Sequence, residues 1–558
     1  MYSNKENVNI LTALLVSHGI RHAVVCPGSR NAPVVHNLNE CPDIECHPVT
    51  DERSAGFFAV GMMQALCEPV VVCVTSGSAL LNLMPAVAEA SYQHLPLVVV
   101  SADRTQQWIG QLDGQTLPQP DALGRFVRKA VTLPEPRNDE ERWYCNRLVN
   151  EALLETHGDD CAPVHINIPI GEPLFEFSVK QLPAERIITR FSPSADYDCL
   201  HAELLNDFFS AERPMLVFGQ THPHHFSGQE GDYLFSHIIT LHEALAPFPS
   251  VSHFDEVLYA NSTTLLPPDF VLYVGDCIVS KRLKHFLRRN SDARVWRVSP
   301  SGQVEDTFMN LRGIVKGDPE FTLASLSHKM KNRPWVKPMS YRRQWLTLLR
   351  QAAYHAASYE PAYSQMATVK YFEEKLETLY ASAEPIIHYG NSTAIRLANI
   401  YARHHVWCNR GVNGIEGSLS TAAGFSLVTP SPVFCVIGDL SFFYDQNALW
   451  NQQLRGNLRI LLLNNGCGGI FNMLPGLEQS PARDKLVAAA HHTTAEGICQ
   501  QNDIYYQRAT NMEEMRKGID LLFDENFSRP MLLEVQTDAS EDERIYKDYY
   551  QSYQYITN

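Results

Sequence analysis

Two side chains in this sequence are well suited to hold a hard cation. Asp439 closes one apolar run and Asn465 closes the next, within GDLSFFYDQNALWN, RILLLNN and GCGGIF. A carboxylate and an amide oxygen at neighbouring strand ends suit Mg²⁺, which takes few protein oxygens and completes its shell from a diphosphate and water. Glycines on both sides of Cys467 let the main chain come close to that diphosphate. Taken singly, Asp439 could equally cap a helix and Asn464 and Asn465 form a turn. Together they read as a diphosphate clamp.

A second acid stands far upstream. In VTDERSAGFFAVGMM, Glu52 follows a short apolar segment and opens a helical pattern, where acids are common for electrostatic reasons alone. Paired with the clamp, it resembles the thiamine diphosphate enzymes, whose signature begins with GD and ends with Asn-Asn. The resemblance implies that Asp439, Asn465 and the main-chain carbonyl of Cys467 hold Mg²⁺, or Mn²⁺ in its place. Glu52 would be the acid that protonates N1′ of the cofactor's aminopyrimidine. Gly438, Leu440, Ser441 and Gly468 would follow the diphosphate, with Asn391 and Ser392 beside the cofactor. Ile415 would be the apolar wedge that bends it, and Ile470, Phe471 and Leu474 would line the pocket.

Further motifs narrow the resemblance. PGSRN (27–31), DERS (51–54), TSGSALLNLMPA (75–86), SADR (101–104), GNSTAIR (390–396) and NRGVNGIEGSLSTAAG (409–424) stand in the order found in the carboligases of menaquinone biosynthesis, with the weakest similarity in the middle third. That family implies decarboxylation of 2-oxoglutarate and 1,4-addition of a succinyl carbanion equivalent to isochorismate, with CO2 as by-product. Both substrates are dianions, and arginine meets carboxylates through bidentate geometry. Arg30, Arg104, Arg396 and Arg410 are the matched cations, joined by Lys281 and Arg282 from SKRLKHF. Ser29 and Gln115 align with polar groups that, with Arg30 and Glu52, touch the reacting molecules. Asn31, Ser54 and Thr105 stand where Ser, Gly and Pro are frequent; none removes a charge or a metal ligand. Two other readings stay open: another carboligase of the class, such as an acetolactate synthase, which needs fewer arginines, and a non-catalytic scaffold on the same fold.

These residues need a frame. Runs of three to six largely apolar, β-branched residues recur at 23–26, 70–74, 97–100, 164–168, 215–218, 270–274, 386–389, 406–408, 433–437, 458–463 and 531–535, mostly stopping at Gly, Ser, Asn or Asp. Buried parallel strands read this way, and their C-terminal ends collect ligands. The pattern predicts an α/β protein of three doubly wound parallel-sheet domains: a pyrimidine-binding unit at 1–185, a middle unit at 186–345 and a diphosphate-binding unit at 346–558. In the resembled family the acid of one subunit meets the clamp of another. A homodimer or a dimer of dimers with shared sites is therefore expected.

Composition excludes other classes. Across 558 residues, Lys+Arg is 46 against Asp+Glu 62, a net charge of −16, without the basic runs that nucleic-acid or membrane-surface binding needs. The 13 cysteines form no CxxC pair, which fits a reduced cytoplasm. No stretch reads as a secretory leader or a membrane span. The run THPHHFSG, with His222, His224 and His225, lacks regular metal-ligand spacing and reads as a loop. His491 and His492 read as a helix end or a mobile segment near the active site. The aromatic terminus YKDYYQSYQYITN could pack on a neighbouring subunit or stay mobile.

Overall fold

The computed structural model describes residues 1–158, 160–190, 202–223, 232–333, 339–380, 385–474, 476–524 and 527–557. His224 and His225 lie outside them. The strands form three sheets, every pairing parallel. The first sheet contains β1 (His22–Val25), β2 (Glu45–Pro48), β3 (Val70–Val74), β4 (Leu97–Asp103), β5 (Lys129–Thr132) and β6 (Val164–Pro169), in the order β2-β1-β3-β4-β6-β5. The second contains β7 (Pro214–Phe218), β8 (Ile239–His242), β9 (Phe270–Val274), β10 (Arg294–Ser299) and β11 (Leu311–Lys316), ordered β11-β10-β9-β7-β8. The third contains β12 (Ile386–Tyr389), β13 (Val433–Gly438), β14 (Leu458–Asn464), β15 (Tyr505–Ala509) and β16 (Met531–Gln536), ordered β12-β13-β14-β16-β15. Helices interleave with the strands throughout, so this is an α/β architecture of three parallel sheets. Among the described residues no helix is long and apolar enough to cross a membrane.

The fully buried β3 is a continuous apolar run, and β14 carries another at Ile460–Leu463, as expected of a sheet covered on both faces. Strands without such runs lie mostly at edges: β2, β5, β8, β11 and β15. Half their residues need not be apolar, so their sequences carry a weaker signal. The run 406–408 is a correction. It forms only a single parallel bridge, His388 to Trp407, beside the edge strand β12.

The middle core extends beyond its own sheet. Tyr341, Trp345 and Ala352 of the helix Ser340–Ser358 pack into it, as does Tyr553 of the last helix, Ala539–Thr557. That last helix settles the aromatic terminus: Tyr549 and Tyr553 are fully buried within the same chain.

The first and third units meet helix on helix. Glu52–Leu66 lies against Ser418–Leu427, and Phe57, Phe58, Leu419, Ala422 and Phe425 share one apolar core. Close approach depends on two glycines. A Cβ on Gly61 would lie 1.9 Å from the carbonyl oxygen of Thr421, and one on Gly424 would lie 2.1 Å from that of Phe58. Because both obstacles are backbone, Gly61→Ala is expected to destabilise the protein by at least about 1–3 kcal/mol, the usual range for overpacking. Thermal unfolding reads this as a lowered midpoint; an unchanged midpoint would mean that the helices can move apart without loss.

Candidate active site

The parallel register of β13 and β14 pairs Gly438 with Leu463, so Asp439 and Asn465 emerge side by side at the C-terminal sheet edge. Asp439 is buried at the start of the helix Asp439–Tyr444. Its Oδ1 accepts the Leu440 N–H at 2.7 Å and its Oδ2 accepts the Gly466 N–H at 2.8 Å. Burial pushes this carboxyl above the usual range, against the pull of those N–H groups and of His491, whose Nε2 is 3.5 Å from Oδ2. A desolvated carboxylate of this kind favours a nearby cation. Asn465 donates through Nδ2 to Asp542 Oδ2 at 3.1 Å, which fixes the orientation of its amide. The carbonyl of Cys467 accepts the Gly469 N–H at 2.9 Å and retains a second lone pair. Burial, followed by the charge of Asp439, pushes the Cys467 thiol up to about 11, so it stays protonated.

A cleft of about 950 Å³, partly open to solvent, lies over these groups. Its lining includes Asn391, Ser392, Arg396, Arg410, Ile415 and the stretches Gly438–Ser441 and Gly468–Phe471. Leu474 is exposed just beyond them. Gly468 keeps the floor open, since a Cβ there would lie 2.8 Å from Phe471 and 3.3 Å from Leu440. Ser392 adopts φ 73° at the end of β12, a left-handed conformation that a non-glycine residue keeps only when its surroundings hold it. Asn391 organises this side: Nδ2 donates to the carbonyls of Asn409 and Gly414, both at 2.7 Å, and Oδ1 accepts from Arg410 Nη1 at 3.0 Å. The buried Nε atoms of Arg396 and Arg410 have no protein acceptor.

These features suit the implied cofactor. One carboxylate, one amide oxygen and one carbonyl are hard donors for Mg²⁺, and two arginines whose Nε atoms have no protein acceptor suit an anion beside it. The glycine-lined floor leaves room for a diphosphate.

The remaining candidates lie elsewhere in the chain. Arg30 is buried after β1, donating to the Ile170 carbonyl at 2.9 Å and pairing with Glu172 at 3.0 Å. Burial and the neighbouring Arg104 guanidinium hold its pKa below the ordinary arginine range. Arg104 pairs with Asp113 at 3.1 Å. Gln115 lies over Gly77 at the end of β3, and Ser29 is exposed. Glu52 accepts from Asn82 at 3.3 Å, and its charge reaches the Cys26 thiol. Within one chain the first unit contributes no residue to the described lining of the cleft. Instead, Arg53 beside Glu52 donates to the Tyr444 carbonyl at 2.8 Å, at the far end of the helix that Asp439 opens. Lys281 is exposed, and Arg282 is paired with Asp255 and stacked on Tyr259 and Tyr550, outside the cleft lining.

Three supporting groups surround the candidate site: Asp542 and Glu89, which have no signal in the sequence, and His491, from a segment expected near the site. Asp542 orients Asn465, and His491 faces Asp439. Glu89 of the first unit accepts the N–H groups of Gly411 and Val412 at 2.8 and 2.7 Å, anchoring the loop that follows Arg410. Each acts over a long sequence separation and carries no local motif.

Comparison with known proteins agrees with this geometry. Residues 6–123 match the thiamine pyrophosphate enzyme N-terminal TPP binding domain, and residues 389–535 match the corresponding C-terminal TPP binding domain. The 2-succinyl-5-enolpyruvyl-6-hydroxy-3-cyclohexene-1-carboxylate synthase of Bacteroides thetaiotaomicron is 44% identical, covering 99% of each chain. The same-named protein of Bacteroides fragilis is 43% identical, again over 99% of both. That of Desulfotalea psychrophila is 34% identical over 96% of this chain and 99% of its own. With two cofactor-binding domains and full-length relatives of one name, the chain belongs to the 2-succinyl-5-enolpyruvyl-6-hydroxy-3-cyclohexene-1-carboxylate synthase family of thiamine diphosphate-dependent enzymes.

Proposed function

We propose that this enzyme decarboxylates 2-oxoglutarate and adds the resulting succinyl unit to isochorismate in a 1,4 sense, releasing CO2, as a step of menaquinone biosynthesis. The observation that carries the reading is the convergence, in one cleft, of the hard donor set Asp439, Asn465 and the Cys467 carbonyl with the acceptor-free Nε atoms of Arg396 and Arg410.

Bound thiamine diphosphate would supply the nucleophilic carbon and the electron sink that decarboxylation of a 2-oxo acid requires. The protein residues do the rest. Asp439, Asn465 and the Cys467 carbonyl would hold Mg²⁺, and Leu440, Ser441 and Gly468 would shape the diphosphate's cradle. Ile415, Ile470 and Phe471 keep water from the reacting face. Arg396 and Arg410, with Arg30 and Arg104, pair the carboxylates of the two substrates. Glu52 holds a proton at N1′ of the aminopyrimidine, and Ser29 and Gln115 orient the reacting molecules. Since the first-unit residues do not line this chain's own cleft, a second copy delivers Glu52, Arg30 and Arg104 to it. The unit of function is therefore at least a homodimer.

The test is CO2 release from 2-oxoglutarate with thiamine diphosphate and Mg²⁺, with and without isochorismate. Release from 2-oxoglutarate, accelerated by isochorismate and accompanied by the coupled product, is expected. Indifference to isochorismate would remove the proposed acceptor, and a preference for pyruvate would favour an acetolactate synthase-like reaction.

A further inference from the structure

The edge of the first sheet carries a cluster that the active site does not use. Among the described residues, His22, Glu45 and His47 are the one trio of His, Cys, Asp or Glu whose ligand atoms lie within 4.8 Å of one another. Their placement follows from strand register. β1 and β2 pair His22 with Glu45 and Val24 with His47, and the two-residue period of a strand puts all three side chains on one face. His22 Nδ1 lies 3.2 Å from His47 Nε2 and 3.9 Å from Glu45 Oε2.

The spacing suits a particular ion. At Zn–N distances of 2.0–2.1 Å, tetrahedral angles separate two ligand nitrogens by about 3.3 Å. The two imidazoles already stand at that separation, and the exposed Glu45 side chain has freedom to close the third edge. His47 is buried, with its Nε2 facing His22. The segment around Asn451 and Gln453 of the third unit lies beside this strand. Asn451 of the same segment donates to the Pro48 carbonyl at 3.0 Å, so the strand carrying Glu45 and His47 is docked on that unit. Two imidazoles and one carboxylate form a borderline donor set, unlike the all-oxygen set around Asp439.

We propose that His22, Glu45 and His47 form a binding site for a borderline divalent cation of the Zn²⁺ class, separate from the cofactor's own ion, with a fourth position left for water. Binding there ties the sheet edge to the third unit and stabilises the folded chain by mass action.

The experiment uses the holoenzyme, freed of transition metals and then saturated with thiamine diphosphate and Mg²⁺ so that the clamp at Asp439 is occupied. Zn²⁺ uptake is followed by calorimetry, and Co²⁺ uptake by visible absorption. The expected result is one equivalent bound, with the d–d bands of a tetrahedral site and no thiolate charge-transfer band. His22→Ala and Glu45→Gln should each weaken binding more than about tenfold. Glu45 is mostly exposed, so its variant should keep the metal-free unfolding midpoint and report on binding alone. No uptake by the unsubstituted enzyme would reduce the cluster to a histidine–histidine hydrogen bond and overturn the proposal. Equal uptake by all variants, or a thiolate band, would place the ion elsewhere and overturn it as well.

Discussion

Subunits carrying Glu52→Gln and subunits carrying Asp439→Ala, each nearly inactive alone, are expected to regain about a quarter of the unsubstituted turnover when mixed equally and allowed to exchange. Random assortment makes half the dimers hybrids, and each hybrid keeps one of its two sites intact if acid and clamp come from different chains. The loss in the Glu52→Gln parent should reach about 10²–10⁴-fold, the usual range for a general acid or base. The Asp439→Ala parent loses the buried carboxylate that accepts the Leu440 and Gly466 N–H groups, so its ion site and the loop carrying Cys467 fail together. A hybrid with no recovered turnover would mean that a single chain supplies both groups. That would require a large movement of Glu52 from its place beside Asn82.

Arg396→Ala is expected to lower kcat/KM for 2-oxoglutarate by about 10- to 150-fold, corresponding to the 1.5–3 kcal/mol of a hydrogen bond to a charged group. The unfolding midpoint should change little, because the buried Nε of Arg396 has no acceptor within the protein. Lysine should restore only part of the loss, since a point charge does not reproduce the planar fork. Arg410→Ala provides the contrast: its guanidinium holds Asn391, which in turn holds the carbonyls of Asn409 and Gly414, so both catalytic efficiency and stability should fall. Equal losses of stability in the two variants would assign Arg396 to architecture rather than to substrate.

That Asp439 and Asn465 stand together was legible because they follow consecutive buried strands, where apolar runs give way abruptly to polar residues. Asp439 and Asn465 are local features of that kind. Asp542 and Glu89, and the partner that His491 faces, are not. Each reaches its partner across the fold, and a lone acid or histidine in a helix or loop gives no sign of what it faces. The same contrast separates strands. β3 announces itself as five buried residues, whereas β2, with the sequence ECHP, is an edge strand whose alternation is too short to register. The run 406–408 looked like a strand because it is buried and apolar; it lies beside β12 but makes only one bridge. Where Glu52 works could not be read from one chain either, since the register within a unit says nothing about which copy of the next unit it meets.

The helix Ala539–Thr557 joins two tasks along one rod. Near its start Asp542 steadies Asn465 and accepts the Gln365 N–H at 2.8 Å; further along, Tyr549 donates to Glu256 at 2.8 Å and Tyr553 fills the middle core. Asp542 and Tyr549 stand about two turns apart and so share a side of the helix. A single residue inserted between them would rotate everything beyond it by about 100° and carry the aromatic half off its seat. The number of residues in that stretch is thus constrained as well as their identity.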